Sequence, residues 1–121
     1  MADNNIGSVL LRQAEHEKDL DRKEASGVRA LKRLVVIAQN DSGQPRIVRR
    51  FLLGLYNGER WPFDMTDLRC LDAQILADCL LVLGMDAAGP RREVHKYIDG
   101  GDDLFREWWF EFRPDDRPEG D

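Results

Sequence analysis

Apolar residues between Val28 and Phe112 return every three or four positions, and the stretches that separate them are rich in Gly, Pro, Asn and Asp. That spacing gathers apolar side chains on one face of a helix, so the chain must bury a series of helical stripes against one another. Ser26 is a suitable N-cap for the first helix, whose stripe is Val28, Leu31, Leu34, Val35 and Ala38, ending near Asn40. The segment NDSGQ breaks the backbone, and Pro45 suits the first turn of a second helix. There Ile47, Val48, Phe51, Leu52 and Leu55 form the apolar face while Arg46, Arg49 and Arg50 point elsewhere. Asn57-Gly58 offers a left-handed cap, and the short link makes the two helices a hairpin.

In the next segment, ERWPFDM, Pro62 disfavours helix at Trp61, so Trp61 and Phe63 are expected to fold inward as plugs. Asp64 or Thr66 caps a long third helix, with Leu68, Leu71, Ile75, Leu76, Cys79, Val82 and Leu83 as its stripe and Gly84 as its end. Pro90 opens a short fourth helix with Val94, Tyr97 and Ile98 on one side. Gly100-Gly101 closes it, and Asp102 is a suitable N-cap for one more helix.

That last segment is LFREWWFEF, Leu104 to Phe112, with five aromatic rings in one short run. At 100° per residue Leu104, Phe105, Trp108, Trp109 and Phe112 share an arc of about 140°. A strand would gather Trp108, Phe110 and Phe112 but leave Trp109 among charges. The helix fits better and leaves only Phe110 off the face. The expectation is an all-α domain over 27–113, a compact bundle of four to five helices that begins with the hairpin and closes with the aromatic helix. An acidic, disordered tail occupies 114–121.

Residues 1–26 read as an appended charged helix or a flexible arm. Asp19 and Lys23 stand at helpful i,i+4 spacing, and the stripe Ile6, Val9 and Leu10 is too small to hold a helix alone. It must dock on its own domain, on a second copy or on a partner.

Composition sets the class. With 42% hydrophobic and 34% charged residues over 121 positions, the chain is that of a single globular domain with a heavily charged surface. Its net charge of −5 works against non-specific binding to nucleic acid or anionic membrane. No apolar run approaches the roughly 20 residues of a membrane span, and MADNNIGSVLLRQ lacks the pattern of an export signal. Cys70 and Cys79 fall in one expected helix about 13 Å apart, roughly twice disulfide reach. Reduced, buried thiols and a cytoplasmic location are expected.

Chemistry-bearing patterns are few. His16 lies in the charged N-terminal tract and His95 on the polar side of the fourth helix, where a lone histidine is ordinarily solvated. Cysteine and histidine show no metal-ligand spacing, and phosphate loop, G-x-S-x-G and zincin patterns are missing. Asp102-Asp103 suits a helix start, and Asp115-Asp116 sits in the tail. No catalytic residue, cofactor or metal is expected, and the chain reads as a non-enzyme.

Charge is uneven. Residues 27–63 carry a local +5 and residues 64–90 a local −4. The first hairpin resembles a DNA-reading helix-turn-helix in part: Ala38 and Val48 suit its internal apolar positions, and Gln44 and Arg46 would open the recognition helix. Against this, the glycine falls one residue late and an acidic helix must lie close by. The alternative is a plain hairpin whose arginines are solvated or pair with those aspartates. Asp67, Asp78 and the tail PDDRPEGD also suit a surface that imitates nucleic acid.

The segments AQNDSGQ, Ala38 to Gln44, and FDMTDL, Phe63 to Leu68, carry a resemblance. Over roughly residues 29–113 the chain is similar to a domain of unknown function from small proteins of proteobacterial plasmids and of phage-like and integrative elements. The resemblance brings no catalytic residue. It implies a bacterial mobile element, where small acidic proteins often act by binding. The expected function is that of a non-enzymatic interaction protein that binds another macromolecule, a protein more than a nucleic acid. Arg46, Arg49 and Arg50, or Phe110 beside Asp115 and Asp116, are the candidate surface. Two alternatives stand beside it: an acidic inhibitor of a nucleic-acid-handling complex, of the anti-CRISPR kind, and a small DNA-binding regulator using the basic hairpin 29–50.

Overall fold

The computed structural model describes residues 4–89 and 91–119. It is all-α, with no strand among those residues. Four α-helices make the frame: α1 (Asn4–Ala38), α2 (Gly43–Tyr56), α3 (Ala73–Ala87) and α4 (Gly101–Phe112). Three short 3₁₀ turns, Met65–Cys70, Val94–Tyr97 and Pro114–Asp116, join or end them. The expected bundle is therefore present, opened by the α1–α2 hairpin and closed by the aromatic helix.

Its largest departure from expectation is at the start. Ser26 does not cap a helix; it lies inside α1, which runs unbroken for 35 residues. Gly27 is there for packing: a Cβ at that position would stand 2.5 Å from the Cβ of Met85 on α3. With Gly27 against Met85 and Arg33 against Asp78, α1 and α3 run in opposite directions. The domain begins to grip α1 near its middle, where Arg91 binds Asp21 and Glu24 and the Tyr97 hydroxyl donates to Glu24 at 2.9 Å. From Ile6 to Asp19 every side chain is exposed, a projection of about 20 Å.

The third helix is also divided. Asp64 does cap, accepting from the Thr66 N–H at 2.9 Å, but the element it opens is the 3₁₀ turn Met65–Cys70. Leu71 and Asp72 are extended, and the Asp72 N–H is satisfied by the Gln44 side chain at 2.7 Å. α3 then starts at Ala73 and runs through Gly84 to Ala87. The short fourth helix is only the turn Val94–Tyr97, and Pro90 lies outside the described residues. Asn57-Gly58 ends α2 without left-handed backbone; positive φ among the described residues is confined to Gly89 and Gly100. Gly100, at φ 71, is the residue before α4, so Asp102 sits inside the first turn rather than capping it. Gly101 has no room for a side chain, since a Cβ there would lie 1.9 Å from the His95 carbonyl oxygen.

The core gathers Leu31 and Leu34 of α1, Val48, Leu52 and Leu53 of α2, Cys79 and Val82 of α3, and Val94, Phe105 and Trp108. Trp61 plugs it as expected, edge-on to Trp109 with centroids 5.4 Å apart, and Phe63 meets Phe51 edge-on at 5.5 Å. Cys79 is buried there, whereas Cys70 is exposed, contrary to the expectation for both thiols.

Candidate interaction surfaces

The sequence marks Arg46, Arg49 and Arg50 as one basic patch, and α2 does bring them together, on a ring. All three guanidiniums surround Phe112 of α4, at 5.0, 5.8 and 5.8 Å from its centroid. Only Arg46 and Arg50 are exposed. Arg49 is 3% exposed and belongs to the interior. It donates to the carbonyl oxygens of Ala38 and Asn40 at 2.7 Å each, and pairs with Glu111 at 3.2 Å. It thus caps the C-terminal end of α1, whose last carbonyls have no partner within the helix. Arg49 stands four residues after Pro45 and four before Leu53, both buried, and that spacing was the signal that it faces inward.

Phe110 is not a bare ring on an open face. Arg106 and Arg117 lie over it, 5.5 and 4.8 Å from its centroid. Nor is the tail free: Pro114–Asp116 forms a 3₁₀ turn, Asp116 accepts from the Trp109 indole N–H at 2.8 Å, and Arg117 meets Glu107 at 3.3 Å. Asp115 is exposed on the same turn. The described part of the expected disordered tail is therefore folded back onto α4, because an indole donor and a carboxylate bring it there.

This return creates a groove of about 630 Å³ lined by Tyr56, Arg60, Asp102, Arg106, Trp109, Phe110, Asp116 and Pro118. Its volume is that of a site for a small molecule or a few side chains. Three aromatic rings form its apolar part, and two carboxylates and two guanidiniums its polar rim. Sequence reading found Phe110 and Asp116 but missed Tyr56 and Arg60, which the chain brings in from some fifty residues away.

One wall of the groove rests on His95, which is 6% exposed and not solvated as the sequence suggested. Its Nε2 is 3.0 Å from Asp102 Oδ1, and its ring meets Tyr56 edge-on at 4.7 Å. The Nδ1 is buried without a hydrogen-bond partner among the described residues. Lys96 also holds Asp102, at 2.9 Å. Lys96 first, and His95 after it, hold the Asp102 carboxyl below the usual carboxylate range. Among the described residues no group of three or more His, Cys, Asp or Glu is placed to hold a metal ion.

Two apolar helix faces are open to solvent. On the projecting part of α1, Ile6, Val9 and Leu10 are 73, 44 and 60% exposed. On α3 the outward side chains are Ala73, Gln74, Ala77, Leu80, Leu81, Gly84 and Ala87, none of them charged. In a chain one third charged, seven successive outward positions without a charge are unusual for a surface meant only for water. Asp78 of the same helix is turned inward to Arg33, at 2.8 and 3.0 Å.

Residues 28–112 match a family of unknown function, DUF7673. The chain belongs to that family. The DUF7673 region takes in α2, α3 and α4 whole, α1 from Val28 to Ala38, and every groove residue except Asp116 and Pro118. The projecting part of α1 lies outside it. No curated protein and no solved structure matched the chain. None of the described helices is long and apolar enough to cross a membrane.

Proposed function

We propose that this DUF7673 chain is a non-enzymatic interaction protein that binds another protein through the groove at its C-terminal end. The observation that carries this reading is the construction of the groove. Tyr56, Arg60, Trp109 and Phe110 come from three separate parts of the chain, and the folded-back tail holds two of them, Trp109 through Asp116 and Phe110 beneath Arg117. A site of aromatic rings and arginine has the composition enriched where proteins bind one another. The occupant this favours is a partner segment with an apolar side chain for the rings and a carboxylate for Arg60. The resemblance of AQNDSGQ and FDMTDL supports a bacterial mobile element as the setting of this activity. The DNA-reading alternative is less well supported, because Arg49 is occupied inside the fold.

The test is affinity capture from the native host by the tagged chain and by Arg60→Glu and Phe110→Ser, with mass spectrometry of the retained proteins. A protein held by the parent chain and lost by both variants, each with unchanged helical circular dichroism, supports the reading. Identical captured sets, or none in any case, reject it.

A further inference from the structure

We infer that α3 is a self-association surface, taking α3 of a second copy in antiparallel contact across a two-fold axis. This goes beyond the groove, which lies on other elements. The inference starts from the order of side chains on the outward face. Leu80 and Leu81, 53 and 42% exposed, form its centre. Small residues flank them on both sides: Ala77 and Ala73 toward the N-terminus, Gly84 and Ala87 toward the C-terminus.

About the point between Leu80 and Leu81 a small residue stands on either side, Ala77 before and Gly84 after. In an antiparallel pair, Ala77 of one copy stands opposite Gly84 of the other, and Gln74 stands opposite Ala87. A two-fold interface joins the same patch on both copies, so the patch must complement itself. The leucines of each copy project, and Ala77 and Gly84 leave the hollows that receive them, which lets two helices reach the 8–10 Å separation of close packing. Beyond Gly84 there is open space, with nothing within 4 Å of a Cβ placed on it.

Charge points to the same occupant. A partner bearing Lys, Arg, Asp or Glu would have to desolvate it against a face with no counter-charge, at a cost no contact there repays. A second copy brings an equally uncharged face. The one acid of α3 that would stand near the contact, Asp78, is already held by Arg33. A face of four helical turns is smaller than a standard interface, so the dimer is weak and forms at micromolar concentration or above.

Sedimentation equilibrium of the full chain, from micromolar to near-millimolar concentration, tests this. The expected result is a monomer–dimer equilibrium that Gly84→Glu and Leu81→Lys each weaken about tenfold or more, since each places a charge in the contact. Gly84→Glu has open space in the monomer and a better helix former than glycine, so its melting temperature should equal or exceed that of the parent chain. Phe110→Ser should leave the association unchanged. A monomer at every concentration overturns the inference. So does a dimer that survives both α3 variants and is lost on Ile6→Lys, which would place the contact on the projecting part of α1.

Discussion

Arg33 on α1 clasps the carboxylate of Asp78 on α3 through two parallel hydrogen bonds, its own side chain half exposed and that of Asp78 only 2% exposed. The paired geometry raises the Arg33 guanidinium pKa further above its ordinary value, chiefly through the hydrogen bond to Asp78. A buried charge that loses its partner is costly, whereas an apolar pair in the same space need not be. Arg33→Met should therefore lower the urea midpoint, and adding Asp78→Leu should restore most of the loss. A double variant as unstable as the sum of two losses would show that the pair is more than a neutralised charge.

Trp108 and Phe110 are two residues apart and should respond differently. Trp108 is 4% exposed and fills the core beside Phe105, at 4.9 Å, so Trp108→Ala should cost about 3–5 kcal/mol. Phe110 is half-buried between two guanidiniums, and Phe110→Ser should cost about 1 kcal/mol, in the range of its cation–π contacts. Denaturant unfolding of both variants gives the comparison. Equal losses would mean that Phe110 is part of the core.

The two thiols differ in access and in chemistry. Burial first, and the neighbouring Asp78 after it, push the Cys79 thiol up to about 12. Because the thiolate is the reactive form, a thiol reagent near neutral pH should modify Cys70 alone in the folded chain and both cysteines after unfolding. Two fast-reacting thiols in the native protein would show that the α1–α3 interior is open.

Asp102 gives an acid-limb prediction. Its folded value lies below its unfolded one, through Lys96 first and His95 after it. Its contribution is therefore complete above the unfolded value, about pH 4, and is lost as the pH falls through the folded value. Asp86 has the opposite sign: burial raises it, so its ionisation above that range works against the fold. Asp102→Asn should lower stability at neutral pH and flatten its decline below about pH 4. Asp86→Asn should raise stability at neutral pH. Melting temperatures from acid to neutral pH check both, and an unchanged acid limb in Asp102→Asn would mean that the carboxylate adds nothing there.

The helices were legible wherever an apolar stripe met a neighbouring stripe: Leu31 and Leu34, Val48 and Leu52, Phe105 and Trp108 all face the core the spacing assigns them. Boundaries were misread where a residue with two uses was assigned the wrong one. Ser26-Gly27 reads as a helix start because serine caps and glycine breaks, yet the glycine is there to admit Met85. Asp72 sits directly before Ala73, a capping signal hidden because Leu68, Leu71 and Ile75 keep their spacing through the break. In the candidate surface, Phe110 and Asp116 were visible, and Arg46 and Arg50 were rightly placed outside. Arg49 was misplaced although Pro45 and Leu53, four residues to either side, marked it as inward, and His95 because its partner Asp102 comes from α4, a contact beyond helical spacing that leaves no local pattern. Tyr56 and Arg60 join the groove for the same reason.

The length of α1 makes the molecule a ruler. Ile6 and Ala38 lie on one axis about 48 Å apart at 1.5 Å per residue, with Arg91 and Tyr97 bracing the shaft where it enters the domain. A contact made at the far end would thereby be held at a set separation from the domain. Torque applied at that end would swing the domain as one piece.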